Sequence, residues 1–419
     1  MKAIISVERE SIMANNFKQL CEEHGQMHLV PFYEALDDAG KDRLFQQVSN
    51  VDFRLIEMAR GEKKGQERGK FEPLAGMNLS QIEASKDKFE KIGIKAIKDC
   101  KVGAVLLAGG QGTRLGFDGP KGTYNIGITK DMYIFERLIV NLMEVTQKAQ
   151  AYVPLYIMTS DKNNDATIAF FEEHNYFGYP KEYVSFFVQE MAPSVDFEGN
   201  LYMEEKDRLS LSPNGNGGWF TSLAKAGLLE DIHARGIEWM NIFAVDNVLQ
   251  RIADPVFIGA TIDSGCVSGA KVVRKADPNE RVGVLCLEDG KPSIAEYYEM
   301  TQEMIESRDA DGELSYAYGV ILNYLFRVDK LEEIRKAHMP VHIVEKKIPY
   351  ITENGTYVKP EKPNGFKFEE LVLDMIHLLD NCLPYEVVRD YEFAPIKNAT
   401  GVDSVESARE LLKKNGVEL

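Results

Sequence analysis

The hydrophobic rhythm of the chain changes near residue 99. Before that point charged residues separate apolar positions spaced as on helices. Phe17, Leu20 and Cys21 make a partial apolar face, and a second helix is predicted over about 41–60, after Asp37 and Asp38 as candidate caps. Residues 61–76 are charged and glycine-rich and read as an exposed loop, with Ser85 as the cap of a further helix through Lys98. From Lys101 onward short apolar runs alternate with helical stretches. Residues 102–107, 153–159, 184–188 and 240–245 read as buried strands, and Phe135, Leu138, Ile139, Leu142 and Val145 share one helix face. Such alternation predicts an α/β domain with a mixed, mostly parallel sheet flanked by helices. Residues 266–275 and 281–299 read as a strand and a hairpin turning at Asp289-Gly290, with another strand near 319–327 and a Glu, Lys and Leu-rich helix at the end. Three segments follow: a helical one over 1–98, an α/β domain over 99–385, and a short C-terminal piece over 386–419.

The first strand runs straight into the densest chemistry of the chain. Residues 107–122 read LAGGQGTRLGFDGPKG, with glycines at 109, 110, 112, 116, 119 and 122 and two cations, Arg114 and Lys121. Glycine lets backbone approach a ligand closely, and successive N–H groups make a concave nest for anions. Arginine adds a planar fork and lysine a point charge, both suited to phosphate. The stretch therefore reads as a polyphosphate cradle formed by Leu107, Ala108, Gly109 and Gly110 with the two cations. A plain turn with solvated cations is a poor account of six glycines directly after a buried strand. The loop is not a Walker A motif in any register, and Leu115 stands where a dinucleotide fingerprint needs its third glycine. Gly119-Pro120 also interrupts the helix that either motif would open at once.

Composition narrows the partners. The chain has 419 residues and a net charge of −17, from 49 basic and 66 acidic residues. That balance argues against nucleic acid as a partner and means that an anionic substrate needs a local island of cations. No apolar run is long enough to span a membrane and the N-terminus lacks a signal-peptide core, so no membrane partner and a cytoplasmic location are expected. Five dispersed cysteines make neither a disulfide framework nor a cysteine metal site. His338 and His342 have helical spacing but enclose Pro340, so no zinc site is read there.

Further candidates end other strands. Asp246 follows 240–245, where a parallel sheet presents ligands, and one acid facing the glycine loop suits Mg²⁺ on a triphosphate. An Asp-Asn pair after a strand is as often only a turn. Gln189, at the end of 184–188, carries an amide able to read a base edge, although most such glutamines are surface residues. In PNGNGGWF (213–220), Gly215 would let a ligand lie on backbone and Asn216 offers donors and an acceptor; the bland reading is a helix-entry turn.

The run L-A-G-G-Q-G-T-R-L-G followed by P-K-G resembles the signature of the UDP-sugar pyrophosphorylases, most nearly the eukaryotic UDP-N-acetylglucosamine pyrophosphorylases, and the resemblance covers most of the chain. It implies a Rossmann-like, GT-A-like nucleotidyltransferase fold. It also implies transfer of UMP from UTP to a hexose 1-phosphate, N-acetylglucosamine 1-phosphate first among the acceptors, with release of pyrophosphate. Glucose 1-phosphate, a broad sugar range and a non-catalytic nucleotide-sugar sensor are the alternatives, and an NAD-dependent oxidoreductase is a poor one. Residue by residue, the resemblance gives Asp246 of VDN to Mg²⁺, Gln189 and Gly215 to uracil, and Asn216 and Glu296 of IAEYYE to the sugar. Lys397 of APIKNA goes to the phosphates, with Lys347 of KKIPY a second cation. Without the resemblance, Glu296 is a solvated hairpin carboxylate. GVILNYLF (319–326) keeps Asn323 and Phe326, but Val320 stands where the family has a sugar-contacting asparagine. That leaves N-acetylglucosamine, N-acetylgalactosamine, glucose and galactose 1-phosphates open. Family members often continue well past the Lys397 motif, so this chain is expected to lack that C-terminal domain and to be a monomer.

Overall fold

The structure is a computed structural model that describes residues 2–61, 68–337 and 339–419, with side chains from Met13 onward. The chain forms two compact units, Met1–Glu67 with Glu190–Gly217 and Pro340–Leu371, and Arg68–Gln189 with Gly218–Met339 and Val372–Leu419. These boundaries differ from the three contiguous segments expected from the sequence. The chain leaves the α/β unit after Gln189 and again after Met339, and both excursions complete the core of the helical unit.

In that helical unit Phe17, Cys21, Leu44, Val48 and Ile56 pack on Val195, Leu201, Met203, Phe366 and Phe368. The last five come from the two excursions, which build a three-stranded antiparallel sheet of His342–Lys346, Gly365–Glu369 and Val195–Asp196. The helix expected over 41–60 is two helices, Asp38–Ser49 and Phe53–Arg60. Asp37 caps the first by accepting from Gly40 N–H, and Asp52 restarts the second by accepting from Arg54 N–H. Such caps satisfy donors that a helix start leaves open. His342 begins a strand rather than sitting on a helix, and His338 lies outside the described residues.

The second unit is built on a ten-stranded mixed sheet. Its strands are β1 (Phe71–Pro73), β2 (Val102–Leu107), β3 (Leu155–Thr159), β4 (Val184–Val188), β5 (Trp239–Ala244), β6 (Ser268–Arg274), β7 (Val284–Glu288), β8 (Lys291–Ala295), β9 (Tyr318–Arg327) and β10 (Leu383–Glu386). The main path runs β1-β7-β9-β5-β2-β3-β4. The run β5-β2-β3-β4 is parallel, and β9 joins β5 antiparallel. Both faces of β2 are covered. Ala104 and Leu106 enter one apolar cluster and Val105 and Leu107 another, as the two-residue period of a strand requires. The helix Ile134–Ala149 buries Phe135, Leu138, Ile139, Leu142 and Val145, the face its periodicity predicts.

Three local expectations change here. The helix that ends at Lys98 starts at Leu79, not near Ser85, because Asn78 and Gln81 form a reciprocal capping box. The stretch expected as an exposed loop over 61–76 contains β1, which pairs antiparallel with β7; residues 62–67 of it lie outside the described residues. Asp289 and Gly290, both at positive φ, make the expected hairpin turn between β7 and β8.

The order of the parallel strands decides where a ligand belongs. The chain moves from β2 outward to β3 and β4, then returns to the other side of β2 as β5. Open α/β sheets bind ligands at such a reversal, at the carboxyl ends of the strands. The glycine loop leaves β2 there, and Asp246 follows β5 there.

Candidate active site

The glycine loop is held from both ends. Ala108 N–H continues the ladder to Met158 O at 2.8 Å, and Lys121 N–H donates to Gly110 O at 3.1 Å, folding the loop back on its start. Gly112 N–H donates to Gly119 O at 2.9 Å, and two short 3-10 turns, Thr113–Leu115 and Lys121–Thr123, shape the middle and the end. Gly122 is required by packing, since a Cβ there would lie 2.2 Å from the ring of buried Phe135. Gly110 is different, because a Cβ there would meet nothing within 4 Å. Its backbone is bare on the open side, as a cradle needs.

Sequence reading missed the residue that pins this backbone. Asn163, buried in the turn after β3, donates through Nδ2 to Ala108 O at 3.0 Å and to Gly110 O at 3.4 Å, while its Oδ1 accepts from Ser160 N–H at 2.8 Å. Within TSDKNND it looks like one more turn residue. Gln189 ends β4 beside the same backbone: its N–H donates to Thr159 O at 2.9 Å, and its Oε1 lies 3.2 Å from the position of a Cβ on Gly109.

Asp246 and the cations complete the group within this unit. Lys121 Nζ stands 4.0 Å from Asp246 Oδ2, beyond hydrogen-bond reach, with 14% and 23% of the two side chains exposed. Burial lowers the pKa of Lys121; Asp246 opposes this, and Lys397 and Arg114 lower it further. Lys121 therefore feels Asp246 on one side and the charges of Lys397 and Arg114 as well, a local gathering of cations in a protein of net charge −17. Lys397 reaches it from the far end of the sequence because two strand-like segments are tied together. Ile396 N–H donates to Asp246 O at 2.8 Å, and buried Asn247 donates to Glu392 O at 2.8 Å and accepts from Ala394 N–H at 2.9 Å.

Glu296 stands just after β8, and its N–H donates to Glu299 Oε2 at 2.8 Å. Val320, on β9, is beside it: Val320 Cγ2 and Glu296 Cδ lie 3.5 and 3.8 Å from the position of a Cβ on Gly283. The remaining candidates belong to the helical unit. Gly215 there has φ +90, and a Cβ would lie 2.2 Å from Glu370 O, so only glycine fits. Gly217 N–H donates to that same oxygen at 2.8 Å, so Asn216 sits in a closed turn. Lys347 is exposed at the end of the His342–Lys346 strand.

The profile of the UTP–glucose-1-phosphate uridylyltransferase family matches residues 58–418. The chain belongs to that family. It is 37% identical over 402 residues to the mouse (Mus musculus) UDP-N-acetylhexosamine pyrophosphorylase-like protein 1, covering 90% of this chain and 79% of that protein. It is 36% identical over 421 residues to the UDP-N-acetylglucosamine pyrophosphorylase of Saccharomyces cerevisiae, covering 94% and 88%. The crystal structure of the Trypanosoma brucei uridine diphosphate N-acetylglucosamine pyrophosphorylase with an inhibitor superposes with a TM-score of 0.81 at 29% identity, covering 96% of this chain and 84% of that one. The Rossmann-like, mixed-sheet fold expected from the sequence is the fold of this uridylyltransferase family. Among the described residues no helix is long and apolar enough to cross a membrane.

Proposed function

We propose that this uridylyltransferase uses the cation group around Asp246 to transfer UMP from UTP to a hexose 1-phosphate, N-acetylglucosamine 1-phosphate first among the acceptors. The observation that carries this reading is Lys121, held 4.0 Å from Asp246 and within the field of Lys397 and Arg114, beside a glycine backbone open at Gly110 and at the reversal point of the sheet. The Saccharomyces and Trypanosoma relatives, both N-acetylglucosamine enzymes by name, support the choice of acceptor.

The phosphate oxygen of the acceptor is already ionised near neutral pH, so attack on the α-phosphorus of UTP requires no general base. Catalysis then consists of alignment and neutralisation of developing charge. Arg114, Lys121 and the backbone at Gly109 and Gly110, just past the ladder residues Leu107 and Ala108, would hold the triphosphate and the leaving pyrophosphate. Lys397 would balance charge at the α-phosphate or the sugar phosphate. Gln189, beside Gly109, would hold the uracil amide edge, and Gly215 keeps the uracil role that the family resemblance gives it. Asn216 and Glu296 would bond sugar hydroxyls, and Lys347 would add a cation. A divalent cation, Mg²⁺ by preference, would take Asp246 as its protein ligand. When bound, it would supply neutralisation of phosphate charge. The chain would act as a monomer in the cytoplasm.

Pyrophosphate release from UTP and Mg²⁺ with a panel of hexose 1-phosphates tests this. Release with N-acetylglucosamine 1-phosphate well above the others is expected. Release with glucose 1-phosphate alone, or with many sugars equally, would overturn the acceptor. UTP binding without any release would replace catalysis with sensing.

A further inference from the structure

The loop after Lys397 contains a group the reaction above does not use. Lys397 N–H donates to Asp403 O at 2.6 Å and Asn398 N–H to the same oxygen at 3.0 Å. Asp403 turns back through its side chain too, with Oδ2 3.0 Å from Lys397 Nζ. Its φ is 52°, in the left-handed region that Asn, Asp and Gly tolerate best, and Gly401 two residues earlier has φ 84°. Asn398 Nδ2 donates to Val402 O at 3.0 Å, and Val405 N–H to Asn398 O at 3.1 Å. Residues 397–405 thus form a self-closed loop whose geometry brings one carboxylate onto one ammonium.

That ammonium is also close enough to Lys121 for the two charges to repel. Like charges so placed push the lysine side chain outward unless something holds it. We propose that Asp403 is a positioning residue, an internal anion that keeps the Lys397 ammonium in place until a phosphate oxygen of substrate or pyrophosphate displaces it. The pair is 44% and 31% exposed, and ion pairs this open are weak and readily exchanged. A tight, buried pair would block the lysine, whereas this one orders it and gives way. The proposal rests on Lys397 contacting phosphate, as argued above.

The probe is inorganic pyrophosphate with Mg²⁺, bound to the whole chain and followed by calorimetry, alongside steady-state turnover. Asp403→Asn removes the charge but keeps a residue at home at φ 52° and leaves the backbone bonds intact. Pyrophosphate should then bind about two- to fivefold more tightly, because its internal competitor is gone, while kcat falls by a similar factor because Lys397 is no longer pre-positioned. Tighter product binding with slower turnover is a pairing that a merely structural aspartate would not give. Unchanged or weaker pyrophosphate binding in Asp403→Asn, with Lys397→Ala clearly weakened, would overturn the proposal and leave the site reading intact. If Lys397→Ala itself changed neither binding nor turnover, the role of Lys397 would fall and this proposal with it.

Discussion

Two lysines of the α/β unit sit among carboxylates under opposite conditions. Lys271, with none of its side chain exposed, meets Glu392 at 2.5 Å and Asp254 at 3.0 Å, and also bonds Arg251 O at 3.3 Å. Arg251 adds a second positive charge, so two cations stand against two acids. Burial pushes the Glu392 carboxyl up, with Asp254 adding to it; Lys271 and Arg251 hold Asp254 down against its own burial. Lys121, by contrast, stays 4.0 Å from its carboxylate and faces two further cations. The first cluster is closed, since all three N–H donors of buried Lys271 are used, two of them on carboxylates. The second is open, since Lys121 stands off its carboxylate among further cations and the part-exposed Asp403 offsets only the charge of Lys397. The closed cluster also serves the open one: Glu392 lies in the segment that Asn247 ties to the Asp246 loop, which brings Lys397 to the site.

The largest test of the contrast is to remove the open charges. Lys121→Ala and Asp246→Ala should each lower turnover by roughly 10²–10³, by analogy with lost oxyanion donors, while the thermal midpoint stays within a few degrees of wild type. Steady-state pyrophosphate release and a melting curve read both halves. Near-normal turnover in either variant would sink the assignment of the open cluster to chemistry. The closed cluster should behave the other way round. Lys271→Met leaves two buried carboxylates with too little positive charge, and should cost about 3–5 kcal/mol of stability, read from urea midpoints. Adding Glu392→Gln should recover part of that loss, because the partner no longer buries an unpaired charge. A Lys271→Met protein of normal stability but abolished turnover would reverse the contrast.

The contrast was half legible in the sequence. Buried parallel strands read as continuous apolar runs, so β2 to β5 are visible as such, and glycine density marks the loop that follows β2. Asp246 and Gln189 are legible because both stand directly at strand ends. Asn163 is not, since its acceptor Ala108 O lies 55 residues back and no local pattern encodes that approach. Lys271 looks like any strand lysine until Asp254 and Glu392 close on it from segments 17 and 121 residues away. The two units are hidden for the same reason. Strands 191–193 and 365–369 are short, and only tertiary pairing shows that they serve the N-terminal helices.

A third cluster lies between the two extremes and gives the smallest expected effect. Arg68 Nε and Nη2 donate to the two oxygens of Glu288 at 3.0 and 2.9 Å, and Nη1 reaches Glu299 at 2.9 Å. Burial alone would raise the pKa of Glu288, but Arg68, the Gly69 N–H and Ser293 Oγ outweigh it and bring the group from 4.5 to about 2. A carboxylate whose folded pKa is depressed adds stability above its unfolded value and loses it as pH falls through the folded one. The contribution is thus in full force above pH 4.5 and fades toward pH 2. Arg68 is part-exposed, so screening reduces the effect to about 1–2 kcal/mol. Urea midpoints at pH 6 and pH 3 for wild type and Arg68→Met measure it. Wild type should lose more stability on acidification than the variant, by up to that amount, because the variant keeps only the Gly69 N–H and Ser293 Oγ to depress the pKa. Equal losses would mean that Glu288 is ordered by packing and that this edge cluster is as indifferent to its charges as an exposed pair.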